Sequence, residues 1–407
     1  MKARRVLPGL AAIGGLFALT GFWQHGGRFH ASPGVVQAQT QAADTFQRVW
    51  AQAIPGFRAA ALSADGGDIA TVSADGIVRL WDWQRRPGRP LWRRAVPGAS
   101  QAAVSAGGRT VLAYAPLDPT RTAVSFLGAG GQGITRIPLD GAIWDVCCSA
   151  DGNYAAVSTG GHSLYLFTLG AHPALHHWRL GGIGNSLALS PDGSYVAAGT
   201  WGVLPEDGSG VACYTPRGAT LWQYPGDTRA RQALSNRLFE AQVARSGQCV
   251  LGVSYANVHE GDGTLYFWRG RGNGRPAWTH ALGDEASYPQ AMISEDGSYV
   301  AVTYTRLVTH GEQSVAERRL LVLDDAGNTL WEKGGLLFSP TLVSVAADGH
   351  RVTVSDGRST LYHLNDEGRI TAPYRFGATI RRTLASPDGR WLLVYTGDGL
   401  LNLIKLG

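Results

Sequence analysis

A four-residue turn motif recurs eight times along this chain, and it restricts the possible folds more than any other sequence feature. Its fullest form is Ser-x-Asp-Gly, and Asp-Gly favours tight hairpins because both residues tolerate a positive φ. The gaps between successive third positions are 42, 44, 41, 54, 50, 52 and 40 residues. Such a period is typical of propeller blades. The copies begin at Ser63, Ser105, Ser149, Ser190, Ala244, Ser294, Ala346 and Ser386.

Strand patterns surround each motif. Two segments of alternating apolar and polar residues follow it, as from Trp391 to Leu406, and this alternation predicts a β-hairpin. A fourth segment then carries an aromatic residue in most units. The last unit stops at Gly407 after its third segment, whereas Phe46 to Trp50 precede the first motif as an orphan fourth strand. We therefore predict an all-β, eight-bladed β-propeller closed by an N-terminal outer strand.

The N-terminal segment carries the pattern of an export signal. Lys2, Arg4 and Arg5 precede an uncharged stretch of 18 residues from Val6 to Trp23. This pattern predicts a signal peptide or an uncleaved signal-anchor over residues 1–23, and both alternatives remain open. Residues 24–43 are interpreted as a flexible tether and residues 44–407 as the propeller. We expect an extracytoplasmic, periplasmic location, anchored to the membrane or secreted.

The charge balance argues against a nucleic-acid partner. The chain has 36 basic and 31 acidic residues, and four of the basic residues lie in the first 38 positions. The propeller region is therefore close to neutral, whereas nucleic-acid binding requires a basic face that replaces phosphate counterions.

The repeats resemble two related propeller families. Gly76 to Trp83 (GIVRLWDW) looks like a strand of a WD40 repeat, and Ala326 to Lys333 (AGNTLWEK) is similar to the quinoprotein, or PQQ-like, repeat. The resemblance covers about residues 44–407. In the quinoprotein-type repeat a tryptophan docks neighbouring blades, which implies this role for Trp50, Trp92, Trp178, Trp222, Trp278 and Trp331. The superfamily includes PQQ-dependent dehydrogenases, hydrolases that use the central funnel, and cofactor-free scaffolds.

The cysteines and histidines give weak support for a cofactor or a metal. Quinoprotein dehydrogenases carry adjacent cysteines bridged over the quinone, but Cys147 and Cys148 lie on a predicted strand, where adjacent side chains point to opposite faces. We expect no cofactor, with PQQ and calcium as the alternative. Cys213 and Cys249 form either a disulfide or two buried thiols. No metal site is expected at His172, His176 and His177, which fall on a predicted loop and outer strand.

The funnel mouth is the predicted place for a ligand. Residues four or five positions before each motif should line it, because the innermost strand begins at that face. Asp145 and Glu240 are candidates for a catalytic acid and base, and the arginines are candidates for anion binding. The alternative is a water-filled channel with paired charges. The predicted lining is Arg58, Gln101, Trp144, Asp145, Asn185, Glu240, Gln290, Arg381 and Arg382, with Ser186 and Thr341 beside them.

Three long connections between second and third strands indicate a recognition surface. They span 201–210, 256–263 and 305–318, and they bring His259, Glu260, His310 and Glu312 to one face. We therefore favour a non-catalytic, monomeric propeller that binds an envelope protein through this face. The alternative is a quinoprotein-like enzyme, either a PQQ-dependent dehydrogenase or a hydrolase.

Overall fold

The structure is a computed structural model that describes residues 46–406 apart from 170–173, 205, 235–236, 245, 257–261, 271, 284–285, 311–312, 337, 339, 347–348, 350 and 387–388. The predicted signal segment and tether lie outside these residues. The described chain forms 32 β-strands, one short α-helix, α1 (Thr228–Ala233), and one 3-10 helical turn at Ala106–Gly108. None of its helices is long and apolar enough to cross a membrane.

The strands pair antiparallel and mostly in chain order. They are β1 (Gln47–Ala53), β2 (Phe57–Leu62), β3 (Asp68–Ser73), β4 (Ile77–Asp82), β5 (Trp92–Ala95), β6 (Gln101–Val104), β7 (Thr110–Asp118), β8 (Arg121–Gly128), β9 (Gly133–Asp140), β10 (Ile143–Cys148), β11 (Tyr154–Thr159), β12 (Ser163–Thr168), β13 (Ala174–Arg179), β14 (Ile183–Leu189), β15 (Val196–Trp201), β16 (Gly210–Tyr214), β17 (Thr220–Tyr224), β18 (Arg237–Val243), β19 (Cys249–Ala256), β20 (Thr264–Arg269), β21 (Trp278–Ala281), β22 (Ala286–Ile293), β23 (Tyr299–His310), β24 (Gln313–Asp324), β25 (Thr329–Lys333), β26 (Thr341–Val345), β27 (Val352–Ser355), β28 (Thr360–Leu364), β29 (Ile370–Arg375), β30 (Ile380–Ala385), β31 (Trp391–Thr396) and β32 (Leu400–Lys405).

The sheets divide the chain into four-stranded groups. Five of them contain consecutive strands, namely β2–β5, β6–β9, β10–β13, β22–β25 and β26–β29. A sixth has the order β1–β32–β31–β30, so the first strand lies beside the last. The strands β14–β21 form one eight-stranded sheet, in which a single bridge between Trp201 and Leu238 joins two groups of four. The fold is therefore an all-β propeller.

The recurrent motif forms the turn between the first and second strand of a group. Ser63 Oγ donates to Asp65 Oδ1 at 2.5 Å and accepts from the Asp68 N–H at 2.9 Å. Gly66 adopts a φ of +72°, which an L side chain rarely takes. The same serine-centred hydrogen bonds recur at Ser149, Ser190 and Ser294. The serine, aspartate and glycine of the motif recur because each of them closes this turn, and we call the turns marker turns.

Neighbouring sheets contact each other through the marker turns. The ring of Tyr154, which begins β11, covers Gly193 in the next marker turn, and Tyr195 donates its hydroxyl to Gly247 O at 3.1 Å in the turn after that. Between the sheets lies an apolar core that includes Leu112, Phe126 and Val157. Burial of one such side chain contributes about 1.5–3 kcal/mol.

The structure corrects the expectation of a loop over residues 305–318. Residues 305–310 and 313–318 belong to a long hairpin of β23 and β24, paired from Tyr299 with Asp324 to His310 with Gln313. The sequence does not signal this continuation, because Leu307 and Val308 are adjacent apolar residues and break the period-2 pattern of a strand.

The structure decides between the two alternatives for Cys213 and Cys249, a disulfide or two buried thiols. All four are free thiols, so no bridge joins Cys213 to Cys249 or Cys147 to Cys148. Cys213 packs in one core cluster with Trp222, whereas Cys249 packs in the next with Phe267. Burial raises the pKa of the Cys148 thiol to about 12. A thiol held protonated in this way is a poor nucleophile.

Candidate functional site

The predicted funnel residues all lie on the first strands of the four-stranded groups. Arg58 is on β2, Asp145 is on β10, Glu240 is on β18 and Gln290 is on β22. Gln101 lies on β6, Trp144 on β10, Asn185 on β14, and Arg381 and Arg382 on β30. The structure therefore places the predicted set on equivalent strands, and we call these strands the inner strands.

Four of these residues sit at β-bulges. The register of the inner strand against its neighbour shifts across Arg58, Trp144, Asn185 and Arg381, which are left without a direct partner. A bulge bends its strand and redirects the extra side chain. The bulges therefore change the direction of these side chains from the one that simple alternation predicts.

Asp145 joins two inner strands. Its Oδ2 accepts from the Leu187 N–H at 2.7 Å, across the boundary between β10 and β14, and its Oδ1 accepts from the Val146 N–H at 2.8 Å. Burial raises the pKa of Asp145 to about 6, although the two N–H groups oppose this and the charge of Glu240 adds to it. The carboxyl can therefore hold a proton near pH 6.

Glu240 lies within electrostatic reach of Asp145 and has its own partner. Its Oε1 accepts a hydrogen bond at 3.0 Å from the hydroxyl of Tyr255, on β19. Burial raises the pKa of Glu240, and the Tyr255 hydroxyl lowers it in part. Tyr255 escaped the sequence analysis, because its diagonal position relative to Glu240 depends on the β18–β19 register, which no local sequence pattern gives.

Polar side chains connect the neighbouring inner strands β14, β18 and β22. Asn185 Nδ2 donates to Phe239 O at 3.3 Å, and Ser186 Oγ accepts from the Ala241 N–H at 2.6 Å. Gln242 Nε2 donates to Ala291 O at 2.7 Å. These polar groups therefore satisfy backbone groups of the adjacent strand, which is a structural role.

The arginines make a similar connection between the last sheet and the first. Arg382 donates to Arg58 O at 3.0 Å, and Arg58 donates to Ala99 O at 3.4 Å. The side chains of Arg58, Arg381 and Arg382 are exposed.

The remaining lining residues are engaged with nearby groups. Gln101 Oε1 accepts from the Tyr114 hydroxyl, and Gln290 Oε1 accepts from Arg318 at 3.4 Å. The ring of Trp144 meets that of Trp201 edge to face, with centroids 5.9 Å apart.

The inner-strand residues can bind and release protons at Asp145 and Glu240. In the described part of the chain, no group of three or more His, Cys, Asp and Glu residues is placed to hold a metal ion. Two surface cavities lie elsewhere, one between the marker turns at Asp192 and Gly247 and one along the outer strands at Arg94 and Arg136.

Three of the tryptophans expected to dock blades donate to the next sheet. The indole N–H of Trp92 reaches Ala129 O at 2.9 Å, that of Trp178 reaches Gly218 O at 3.0 Å, and that of Trp278 reaches Asp325 O at 2.9 Å. The ring of Trp278 also lies against Gly327, where a Cβ atom would be 2.8 Å from it.

The other three tryptophans are buried by neighbouring residues. Trp50 packs edge to face on Trp81 with centroids 5.7 Å apart, and Trp222 stacks on Trp268 at 5.1 Å. Trp331 packs in a core cluster that combines residues of β24 and β27.

The predicted partner-binding residues lie largely beyond what the structure describes. His259, Glu260 and Glu312 are outside the described residues, and His310 is the last residue of β23, where only its backbone is described.

Comparison with known proteins agrees with the propeller fold. A family model described as outer membrane protein assembly factor BamB matches residues 34–313, which is more than half of the chain. The chain belongs to this PQQ_2 family. Membership of the PQQ_2 family confirms the predicted resemblance to the PQQ-like propeller superfamily. No curated protein sequence matches the chain.

Solved structures support the propeller fold. BamB from Moraxella catarrhalis is 14% identical with a TM-score of 0.60, over 89% of this chain and 100% of that one. The Dos1 propeller is 14% identical with a TM-score of 0.62, over 89% and 95%. Chaetomium thermophilum Sqt1, solved with the N-terminus of ribosomal protein L10, is 14% identical with a TM-score of 0.58, over 88% and 100%.

Proposed function

We propose that this PQQ_2 chain is a non-catalytic scaffold of the cell envelope that binds a protein partner through one face of an eight-bladed propeller. This face carries the connections between second and third strands, and we call it the looped face. In this proposal, an N-terminal signal exports the chain, β1 completes the last blade, and the tryptophans of the fourth strands dock the blades. The proposal rests on family membership and on the exposed residues of the looped face.

The ring itself has support from contacts between the last sheet and the first. Trp391, at the start of β31, covers Gly66 in the first marker turn, and Trp50 on β1 packs against Trp81 on β4. Together with the Arg382 bond to Arg58 O, these contacts join the two ends of the described chain. A closed ring removes free sheet edges that would otherwise recruit other strands.

Exposed apolar side chains concentrate on the looped face, and this observation carries the proposal. Large exposed apolar residues elsewhere are scattered over outer strands and one inner strand. Exposed apolar side chains on a shared face are common at protein interaction sites. Five such side chains lie in or beside second-to-third turns of three separate sheets, namely Leu117, Val203, Leu204, Leu307 and Val315.

The hairpin of β23 and β24 is the most prominent part of the looped face. Pairing with β22 ends at Arg306, and pairing with β25 ends at Leu320. In the described sheet, residues 307–310 and 313–319 therefore pair only within the hairpin. Leu307 is 49% exposed and Val315 is 46% exposed, so the hairpin offers apolar side chains to a partner.

The inner-strand acids support a scaffold rather than a catalyst. Both carboxylate oxygens of Asp145 accept backbone N–H groups, and Glu240 is bonded to Tyr255. Hydrogen bonds of this kind satisfy buried polar groups and connect strands, which is sufficient to explain why the acids are present.

Site-specific photo-crosslinking tests the proposal. A photoreactive amino acid at Leu307 is expected to give a defined protein adduct in intact cells. Leu330, on the outer strand β25 of the same sheet, is equally exposed at 49% and provides the matched control. Adducts common to both positions, or an adduct at position 330 alone, would contradict binding through the looped face.

A further inference from the structure

Five arginines lie within ten residues at the outer edge of the β2–β5 sheet. Arg85, Arg86 and Arg89 belong to the β4–β5 turn, and Arg93 and Arg94 lie on β5. All five are exposed, and the sequence contains no acidic residue from position 83 to position 117. The near-neutral charge of the propeller region conceals this cluster, which we call the arginine edge.

Most of these charges have no carboxylate partner. Arg85 lies 3.3 Å from Asp82, whereas no carboxylate in the described residues lies within ion-pair distance of the other four. Arg93 is paired in register opposite Arg79, whose own charge is paired with Asp75 at 3.5 Å. Four exposed guanidinium groups therefore remain available to an external anion.

The turn that carries the first arginines has a defined conformation. Asp82 Oδ1 accepts from the N–H groups of Gln84 and Arg85 at 3.1 and 2.9 Å. Trp83 anchors the base of the turn by donating to Gly66 O at 3.0 Å. Gly88, at the tip, has open space around it. The arginine edge is therefore both preformed and accessible.

The arginine edge lies close to the point at which the N-terminal chain enters the propeller. This position indicates which anion it binds. Fourth strands run in the same direction in every sheet, so β1 and β5 both begin at the edge that carries the marker turns. The chain that precedes β1 therefore reaches the propeller at this edge, one sheet away from Arg85. That chain includes the uncharged apolar stretch from Val6 to Trp23, after positively charged residues.

We propose that the N-terminal segment lies in a membrane and that the arginine edge binds the anionic phosphate headgroups of that membrane. Guanidinium groups bind phosphate oxygens in a bidentate manner, and each arginine close to an anionic surface raises membrane affinity about fivefold. Such contacts orient the marker-turn edge of the first sheet towards the bilayer and the looped face away from it. The proposal does not depend on partner binding through the looped face.

Hydrogen exchange of the full chain with lipid vesicles tests this. Vesicles of phosphatidylcholine are compared with vesicles that also contain phosphatidylglycerol, so that any insertion of the N-terminal segment is common to both. Amides of residues 84–95 are expected to exchange several-fold more slowly with the anionic vesicles. About 1 M salt is expected to abolish the difference, because the Debye length falls to about 3 Å.

A charge-matched pair of variants completes the test. Replacing Arg86, Arg89, Arg93 and Arg94 with Gln is expected to remove the lipid-dependent slowing. The control replaces four exposed arginines from other sheets with Gln and is expected to retain it, namely Arg217, Arg229, Arg358 and Arg375. Equal exchange of residues 84–95 in the two lipids overturns the proposal. Slowing by an acidic envelope protein but not by phosphatidylglycerol also overturns it and identifies a protein ligand.

Discussion

The indole ring of Trp391 lies directly over Gly66, so a residue of the last sheet covers the first marker turn. A Cβ atom at position 66 would overlap this ring, and the φ of +72° is already unfavourable for other residues. The ends of the described chain are thus joined by a contact that tolerates only glycine.

Gly66→Ala is expected to destabilise the protein strongly. Gly88→Ala is the matched control, because its φ of +77° imposes a similar backbone strain while nothing lies within 4 Å of its Cβ position. The control should lose about 1–2 kcal/mol and Gly66→Ala about 1–3 kcal/mol more, as measured by urea unfolding. Equal losses would mean that Trp391 does not constrain the turn.

Trp50→Ala tests whether β1 stabilises the whole molecule. Trp50 is 6% exposed and packs against Trp81, so its removal leaves a large cavity between the last sheet and the first. We expect a loss of about 3–5 kcal/mol in the free energy of unfolding. Leu330→Ala, at an exposed position, should change stability by less than about 0.5 kcal/mol. Similar values for both variants would refute a closing role for β1.

Asp68→Asn is expected to stabilise the protein at high pH. Burial raises the pKa of Asp68 to about 6, and the charges of Asp65 and Asp82 add to this. The folded state therefore binds the proton more tightly than the unfolded state, and stability falls as the pH rises from about 4 to 6. After allowance for solvent screening, the variant should gain about 1 kcal/mol at pH 8 and little at pH 4. A gain that is independent of pH would contradict this assignment.

Tyr255→Phe is expected to show the opposite pH dependence. The hydroxyl of Tyr255 stabilises ionised Glu240, so its loss raises the pKa of Glu240 further. The variant should lose about 1.5–3 kcal/mol at pH 8 and much less at pH 4, where Glu240 is protonated in either protein. Urea unfolding at the two pH values measures this, and Tyr395→Phe provides a control tyrosine on β31. An equal loss at both pH values would indicate lost packing rather than the hydrogen bond.

The turn motif was sufficient to predict the propeller fold because its serine, aspartate and glycine each have a fixed task in one turn. The pairing partner of the segment around Trp50 was also predictable, since the last unit lacks its fourth strand. The bulges at Arg58 and Trp144 were not predictable from the sequence, because a register shift depends on the neighbouring strand. The Asp145 bond to Leu187 likewise joins residues 42 positions apart, and no local pattern signals it.

The local distribution of charge was also incompletely predicted from the sequence. A count over the propeller region averages the arginines at 85–94 with acids on other sheets. Alternation also failed to show that residues 305–318 continue as strands, because turn length cannot be read from the period alone.

The pairing of β1 with β32 also has a consequence for biogenesis. The partner of the first strand lies far along the chain, since Gln47 pairs with Lys405. During folding β1 therefore stays unpaired until residues 400–405 are available to it. A product truncated before residue 400 would leave this strand without its partner, which is a ready signal by which quality-control proteases could recognise an unfinished molecule.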